Sequence, residues 1–416
     1  MDILFISQYF HPEQFLNTHI VRELAARQHR VEVVCCVPNY PVGKFFEGYS
    51  NSRRTEEAWD GVGIHRVFTI PRGKGALQLI ANYLTYPLAA CWKIPSLGRR
   101  RGAVSVVSMP SPIFQALAGI FAKRIWSIPT LFWVQDIWPD SAIITLGIRN
   151  RVVIRLLNAV CGWIYRQADL VMVQSDGFHD KIAAFGVSAE RIVTLPNCAP
   201  PGFAPVERSA VPERIASLFP TGRCIIMFAG NIGESQDFDT IVKAAELLPA
   251  DSNILLAIVG SGRDEARIRG IVAAQRLEHR FLFLGRHPEA DMPAFFACAD
   301  AMLVSLRDEA IFALTVPSKV QSYLACGKPI LASMAGEGAA VIERAGVGKV
   351  VAPSAPAALS QAMTEVAGLD KSGLAAMGAL GRQVYTERFS VAAVTDSLCR
   401  MIESVSGKNL SNGERA

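Results

Sequence analysis

Short apolar runs alternate with amphipathic helical patterns along the whole chain, and this alternation restricts the fold more than any other feature. In the first half the runs are Ile3–Ser7, Val31–Cys36, Val104–Ser108, Thr130–Val134 and Leu170–Val173. In the second half they are Cys224–Ala229, Ile254–Val259, Phe281–Leu284, Ala301–Val304, Pro329–Ala332 and Lys349–Val351. Helical spacing falls between runs, at Ile20–Arg30, Asp239–Leu248, Asp264–Gln275, Pro293–Ala299 and Ser318–Cys326. Runs this apolar suit strands covered on both faces. Strands that alternate with helices imply parallel sheets joined by right-handed crossovers, an α/β class.

At 416 residues the chain exceeds one ordinary core. The stretch Pro196 to Pro205, dense in proline and glycine, reads as the boundary between two α/β domains, residues 1–200 and 201–385. A net charge of +5 is small for this length and does not suggest a nucleic-acid binder, which needs clustered Lys and Arg. Nine cysteines form no CxxC pair, which favours free thiols over a zinc site or a disulfide framework. The N-terminal run Ile3–Ile6 reads as a first strand rather than a leader, so a cytoplasmic protein is expected. The most apolar stretch, Leu77–Leu97, is broken by Asn82, Pro87, Lys93 and Pro95 and does not suit a membrane span.

Parallel sheets bind ligands beyond the carboxyl ends of their strands, and two such sheets are expected to share a cleft. Four segments of the second half stand at such ends. Gly230-Asn231-Ile232-Gly233, continuing to Gln236, follows the first strand; its glycines would let backbone amides approach a phosphate, although an ordinary turn explains them too. Gly260-Ser261-Gly262 and Gly285-Arg286-His287 follow the next two strands. The fourth is Pro317-Ser318-Lys319-Val320-Gln321-Ser322, a helix start that ends near Gly327. A lysine in a first helical turn opposes the helix dipole, a cost an anion bound there would offset. Together the four describe a nucleotide-diphosphate site.

These segments, with Leu284 to Asp300 and Pro317 to Ile330, resemble glycosyltransferase family 4, whose members are retaining enzymes of the GT-B fold. In the first half, Pro38-Asn39-Tyr40-Pro41-Val42-Gly43-Lys44 and Trp133-Val134-Gln135-Asp136-Ile137-Trp138-Pro139-Asp140-Ser141 resemble the branch that builds O-antigen and colanic-acid-type polysaccharides, its N-acetyl-L-fucosamine transferases in particular. The resemblance implies an acceptor-binding first domain, a donor-binding second domain, and a helix within 386–416 that returns to the first. The tail from Ser406 to Ala416 is polar and is expected to fray. It implies no metal: Asp237-Phe238-Asp239 reads as a helix start. It implies a UDP-linked sugar as donor and an undecaprenyl-diphosphate-linked saccharide as acceptor, met at the inner face of the cytoplasmic membrane. A sugar-nucleotide epimerase of the same fold and a two-lobed binding module are the rival readings.

Departures from the family redistribute the expected roles. Asn231 and Gln236 stand where the family carries Arg and Lys, and Leu314 and Ser322 where it carries paired glutamates. The diphosphate charge then falls to Lys319, with the amides of Ser318 and Gly233, while Gln321 or Ser322 would meet the ribose. Asp136 is the catalytic candidate of the first domain, though an aspartate can equally cap a helix starting near Trp138. His11, Glu13, Asn17, Asn39, Tyr40 and Gln135 are the acceptor-side candidates. Three groups of basic residues flank apolar ones and suit an anionic membrane surface or, equally, solvated helix faces. They are Arg72, Lys74, Lys93 and Arg99 to Arg101 around Leu77–Leu97; Lys123 and Arg124 before Trp126; and Arg149, Arg151 and Arg155 around Val152 to Leu157.

Overall fold

The computed structural model describes residues 1–73, 75–98 and 102–413. They form two compact units, Met1–Asn197 joined by Val391–Ala416, and Cys198–Ser390. Each is an α/β unit around one sheet.

The first unit carries β1 (Asp2–Ile6), β2 (Arg30–Cys36), β3 (Glu56–Trp59), β4 (Val62–Val67), β5 (Val104–Met109), β6 (Thr130–Val134), β7 (Leu170–Val173) and β8 (Ile192–Thr194). They align in the order β3-β4-β2-β1-β5-β6-β7-β8. All pairs are parallel except the β3–β4 hairpin at the edge. That hairpin was not expected: Glu56-Glu57-Ala58-Trp59 is a polar edge strand that alternates in burial and lacks the apolar run of a central strand. β8 is three residues long and equally faint. The helices used below are α1 (Leu16–Ala26), α2 (Ala76–Lys93), α3 (Ala116–Trp126), α4 (Asp140–Leu146) and α5 (Arg151–Arg166). α1 starts four residues before the expected Ile20, since Asn17 and Thr18 are also buried.

The second unit carries β9 (Cys224–Ala229), β10 (Ile254–Val259), β11 (Phe281–Gly285), β12 (Ala301–Ser305), β13 (Ile330–Ser333) and β14 (Gly348–Val351), in the order β11-β10-β9-β12-β13-β14 and parallel throughout. Both faces are covered. Along β9, Ile225, Met227 and Ala229 join one core cluster while Cys224, Ile226 and Phe228 join another, the period of two that a strand imposes. Asp237 takes a left-handed conformation just before the helix Phe238–Glu246 and accepts a hydrogen bond from Thr240, so it opens a helix as expected.

The helix Val391–Gly413 belongs to the first unit and runs past Ser406, where fraying was expected, as far as Gly413. It packs on α1. Val394, Leu398 and Ile402 are buried, and Arg27 pairs with Asp396 and donates to the Ala392 carbonyl at 3.2 Å. The ion pair is exposed and contributes little; the apolar row holds the helix. Leu398→Ala is therefore expected to cost about 2–4 kcal/mol, read as a lower urea midpoint with an unchanged slope. A shift below about 0.5 kcal/mol would show the helix to be a passive appendage.

Candidate functional site

In the second unit β9 neighbours β10 on one side and β12 on the other, so the winding of the sheet reverses beside it, the place where open parallel sheets bind ligands. Glycines end three adjacent strands there. Gly230 and Gly260 lie at φ +138° and +139°. The Gly230 N–H donates to the Val259 carbonyl at 2.9 Å and the Gly260 N–H to that of Gly285 at 2.7 Å. A Cβ on Gly260 would stand 1.9 Å from the Gly230 oxygen, and one on Gly262 2.0 Å from that of Ile232. Only glycine permits backbones to approach so closely. Among the described residues the amides of Asn231 and Gly233 donate to no acceptor.

The helix Ser318–Ala325 starts against this loop, with Pro317 as its N-cap. Buried Tyr323 seats it: its hydroxyl accepts the Ala229 N–H at 3.1 Å and donates to the Ala229 carbonyl at 3.2 Å. Lys319 then projects over the strand end. Its Nζ lies 3.8 Å from the centre of the Phe228 ring and donates to Gln236 Oε1. A Cβ on Gly230 would come within 2.8 Å of Lys319 Cε, so the glycine clears room for this side chain. Although the residue as a whole is half-buried, burial of the ammonium pushes its pKa down to about 7. No carboxylate pairs with it among the described residues. An ammonium so held lacks a counter-charge that an anion can supply.

Of the other positions read as donor contacts, Asn231, Arg286 and Ser318 are exposed at the strand ends. His287 is pinned to its own sheet: Nε2 donates to the Leu284 carbonyl at 3.0 Å and the ring packs 4.3 Å from that of Phe295. Gln321 and Ser322 are buried, and Gln321 Oε1 has no partner among the described residues. The helix buries both of them together with Val320 and Tyr323, whereas Ser318 at its start is exposed.

The first unit reverses its winding beside β1, between β2 and β5. Loops after β2, β4, β5 and β6 meet there around a cavity of about 240 Å³ lined by Tyr40, Arg72, Tyr83, Ser111, Asp136 and Trp138, among others. Burial pushes the Asp136 carboxyl up to about 6, opposed by the nearby Ser141 hydroxyl and the Ile137 N–H. The helix that follows, α4, begins only at Asp140, so Asp136 is left facing the cavity rather than capping a helix at Trp138. Its loop is fixed by Trp138, whose Nε1 donates to Ser111 Oγ at 3.2 Å and whose backbone exchanges hydrogen bonds with the Tyr165 hydroxyl.

Three of the acceptor-side candidates lie beneath this surface. Glu13 Oε1 accepts the N–H groups of Asn39 and Tyr40 at 2.7 Å each, and Oε2 that of Phe10 at 3.3 Å. Burial raises its pKa to about 7 against the pull of those amides. Asn39 is fully buried and accepts the Arg72 N–H at 2.8 Å; Asn17 donates to Ser7 Oγ and the Tyr9 carbonyl. All three shape the loops rather than reach outward. Tyr40 is exposed in the cavity wall, among the rings of Tyr9 and Phe15. His11 stacks on Trp59 at 4.3 Å, and burial lowers its pKa. Gln135 is half-buried, its carbonyl taken by Gln174. The sequence reading passed over Gln8 and Asn82. Gln8 Nε2 and the Tyr9 hydroxyl both donate to Asn82 Oδ1, and Asn82 Nδ2 donates to the Ile70 carbonyl at 2.7 Å. An asparagine inside an apolar helical stretch was the available signal.

The basic–apolar groups divide. Leu77, Leu88 and Trp92 of α2 are well exposed, as are Val152 and Leu156 of α5 beside Arg151 and Arg155. The group on α3 is different: Lys123 pairs with Asp169 at 2.7 Å and Trp126 is buried. Lys74 and Arg99 to Arg101 lie outside the described residues.

The Lys319 geometry has a consequence for stability. A lysine whose folded pKa is depressed destabilises the fold as pH falls from about 10 towards 7, and the full penalty remains below 7. Lys319→Met is expected to stabilise the protein by about 1–3 kcal/mol at pH 6.5, with the gain fading by pH 10. Thermal unfolding at the two pH values measures it; equal or negative shifts would remove the desolvation.

Two family models match the chain: residues 17–198 match a glycosyl transferase 4-like domain, and residues 212–376 match glycosyl transferases group 1. The putative colanic acid biosynthesis glycosyl transferase WcaI of Escherichia coli is 26% identical over 315 residues, 74% of this chain and 76% of that protein. The probable glycosyltransferase WbjE of Pseudomonas aeruginosa is 27% identical over 297 residues, 70% and 72% of the two chains. The crystal structure of HepE from Anabaena, in complex with UDP, shares the fold with a TM-score of 0.66 at 16% identity, covering 97% of this chain and all of that one. Neither family model describes an epimerase or a binding module. The chain is a glycosyltransferase, a glycosyl transferase 4-like domain followed by a glycosyl transferases group 1 domain.

Proposed function

We propose that this glycosyltransferase moves a sugar, with retention, from a UDP-linked donor held by the second unit to a hydroxyl of a lipid-linked saccharide held by the first, in the assembly of a bacterial surface polysaccharide. The observation that carries the reading is Lys319, an uncompensated ammonium over Phe228 at a helix start and beside the open amides of a glycine loop. The colanic-acid role in the name of one relative supports the polymer class, and the UDP complex of the structural neighbour supports the nucleotide. The two first-half motifs favour an N-acetylated deoxyhexose such as N-acetyl-L-fucosamine. The exposed apolar residues of α2 and α5 favour a peripheral position on the inner face of the cytoplasmic membrane; among the described residues no helix is long and apolar enough to cross one.

In this transfer the bond between the anomeric carbon and the diphosphate breaks, its electron pair goes to the phosphate oxygen, and the sugar passes through an oxocarbenium-like state. Negative charge grows on the leaving group, so a fixed cation there stabilises the transition state more than the ground state. Lys319 and the helix start supply that charge without a metal in this reading. Ionised Asp136 accepts a hydrogen bond from the acceptor hydroxyl and polarises it; the acceptor oxygen bonds to the anomeric carbon on the face the diphosphate leaves, and its proton passes to the departing diphosphate oxygen.

Activity should therefore need Asp136 deprotonated and Lys319 protonated. The profile of kcat/KM against pH is expected to fall below about 6 and above about 7. Asp136→Asn should remove the acid limb. Lys319→Ala should lower kcat by about 100- to 1000-fold, as loss of one oxyanion donor does elsewhere. Near-normal turnover would take Lys319 out of the mechanism. The overall reading is tested with UDP-, GDP- and dTDP-sugars, with and without a lipid-linked acceptor. Turnover of a UDP-sugar only with acceptor supports it; interconversion of the sugar without acceptor contradicts it.

A further inference from the structure

Arg72 is half-buried in the wall of the first unit's cavity. Arg66 pairs with Glu57, Arg22 with Asp60 and Arg27 with Glu23 and Asp396, but among the described residues no carboxylate pairs with Arg72. Its guanidinium lies 5.5 Å over the Tyr40 ring and faces the phenol groups of Tyr9 and Tyr83. Its backbone is held from two sides. The N–H donates to Asn39 Oδ1, and a Cβ on Gly43, which sits at φ +74°, would stand 1.8 Å from its carbonyl oxygen. The structure thus fixes an uncompensated guanidinium in the wall of the cavity that also holds Asp136.

One helix joins this cavity to the surface. On α2, Asn82, Tyr86 and Ala90 face the core, and Leu79 and Tyr83 line the cavity. One position further on, a rotation of ~100°, Ile80 and Leu84 begin an exposed face that includes Leu77 and Leu88. Exposed leucines are ordinary singly, but a row at helical spacing over ~16 Å is not. The cation, in the loop just before α2, and the helix that carries the apolar row thus wall the same cavity.

We infer that Arg72 receives the phosphate group of a lipid-linked acceptor, with the apolar chain of the lipid laid along the exposed face of α2. A guanidinium fork matches phosphate oxygens, and the stripe matches a hydrocarbon chain too apolar to stay in water. The inference rests on the acceptor reading proposed above and assigns it a site.

Calorimetric titration of the full chain, with the donor site saturated by UDP, tests it with three probes: farnesyl diphosphate, farnesol and inorganic diphosphate. Farnesyl diphosphate is expected to bind at least tenfold more tightly than either of the others. Arg72→Gln should weaken farnesyl diphosphate at least tenfold while leaving farnesol and UDP within twofold, the last showing an intact fold. The Leu84→Ser, Leu88→Ser double variant should weaken farnesyl diphosphate but not inorganic diphosphate. Farnesyl diphosphate binding that ignores Arg72→Gln overturns the site. Inorganic diphosphate binding as tightly as the lipid overturns the lipid assignment in favour of a free anion. No donor sugar is consumed in these titrations. An intact farnesyl diphosphate site in a protein that transfers to no lipid-linked saccharide would therefore overturn the function and leave the site standing.

Discussion

The ammonium of Lys319 is the constraint around which the second unit is arranged. A cation removed from water beside an aromatic ring and an amide oxygen, with no carboxylate partner among the described residues, is held at the expense of the free protein. Its surroundings keep it there. Tyr323 ties the helix to the end of β9, Gly230 leaves out the side chain that would displace the lysine, and the lacing of Gly230, Gly260 and Gly285 sets the height of the strand ends. Gly230 and Gly260 are required by close approaches and Gly285 by its φ of +72°, so together they hold a shape suited to an anion. Strain stored at a ligand site and supported by rigid neighbours is a recurring property of functional centres.

The first unit solves the opposite problem with the same means. Its reactive candidate is a carboxylate whose burial favours the neutral form, poised so that a small change in surroundings alters its charge. The loops around it are long and irregular, and buried polar groups fix them. Glu13 binds the loops after β1 and β2, Asn82 joins Gln8 and Tyr9 to the Ile70 carbonyl, and Gln115 accepts the Gln8 N–H at 2.9 Å and donates to the Pro112 carbonyl at 2.9 Å. Buried polar networks of this kind favour one conformation, although Gln8 Oε1 has no partner among the described residues. They explain why residues that look like ligand contacts in a motif can lie below the surface.

Much of the fold was legible because parallel strands buried on both faces are written as apolar runs. β9 and β10 fall on the expected residues to the last position, and the glycines that follow them mark strand ends. The edge hairpin β3–β4 was not legible, since an edge strand needs only alternation and this one is four polar-leaning residues. At the site, Lys319 could be singled out because a lysine at a helix start contradicts the dipole. Gln321 and Ser322 could not be placed, because nothing local tells which side of a short helix meets the core. Arg72 was visible only as one more basic residue beside an apolar stretch; that no carboxylate pairs with it among the described residues is a tertiary fact.

The most direct test of the Lys319 account is its own titration. With lysine labelled at Cε, the Lys319 resonance identified by its absence in Lys319→Arg, NMR follows the ammonium across pH with and without UDP. The account predicts a pKa near 7 in the free protein that rises when UDP binds, because the diphosphate favours the charged form. A value near the ordinary ~10.4 of lysine, unmoved by UDP, would contradict it.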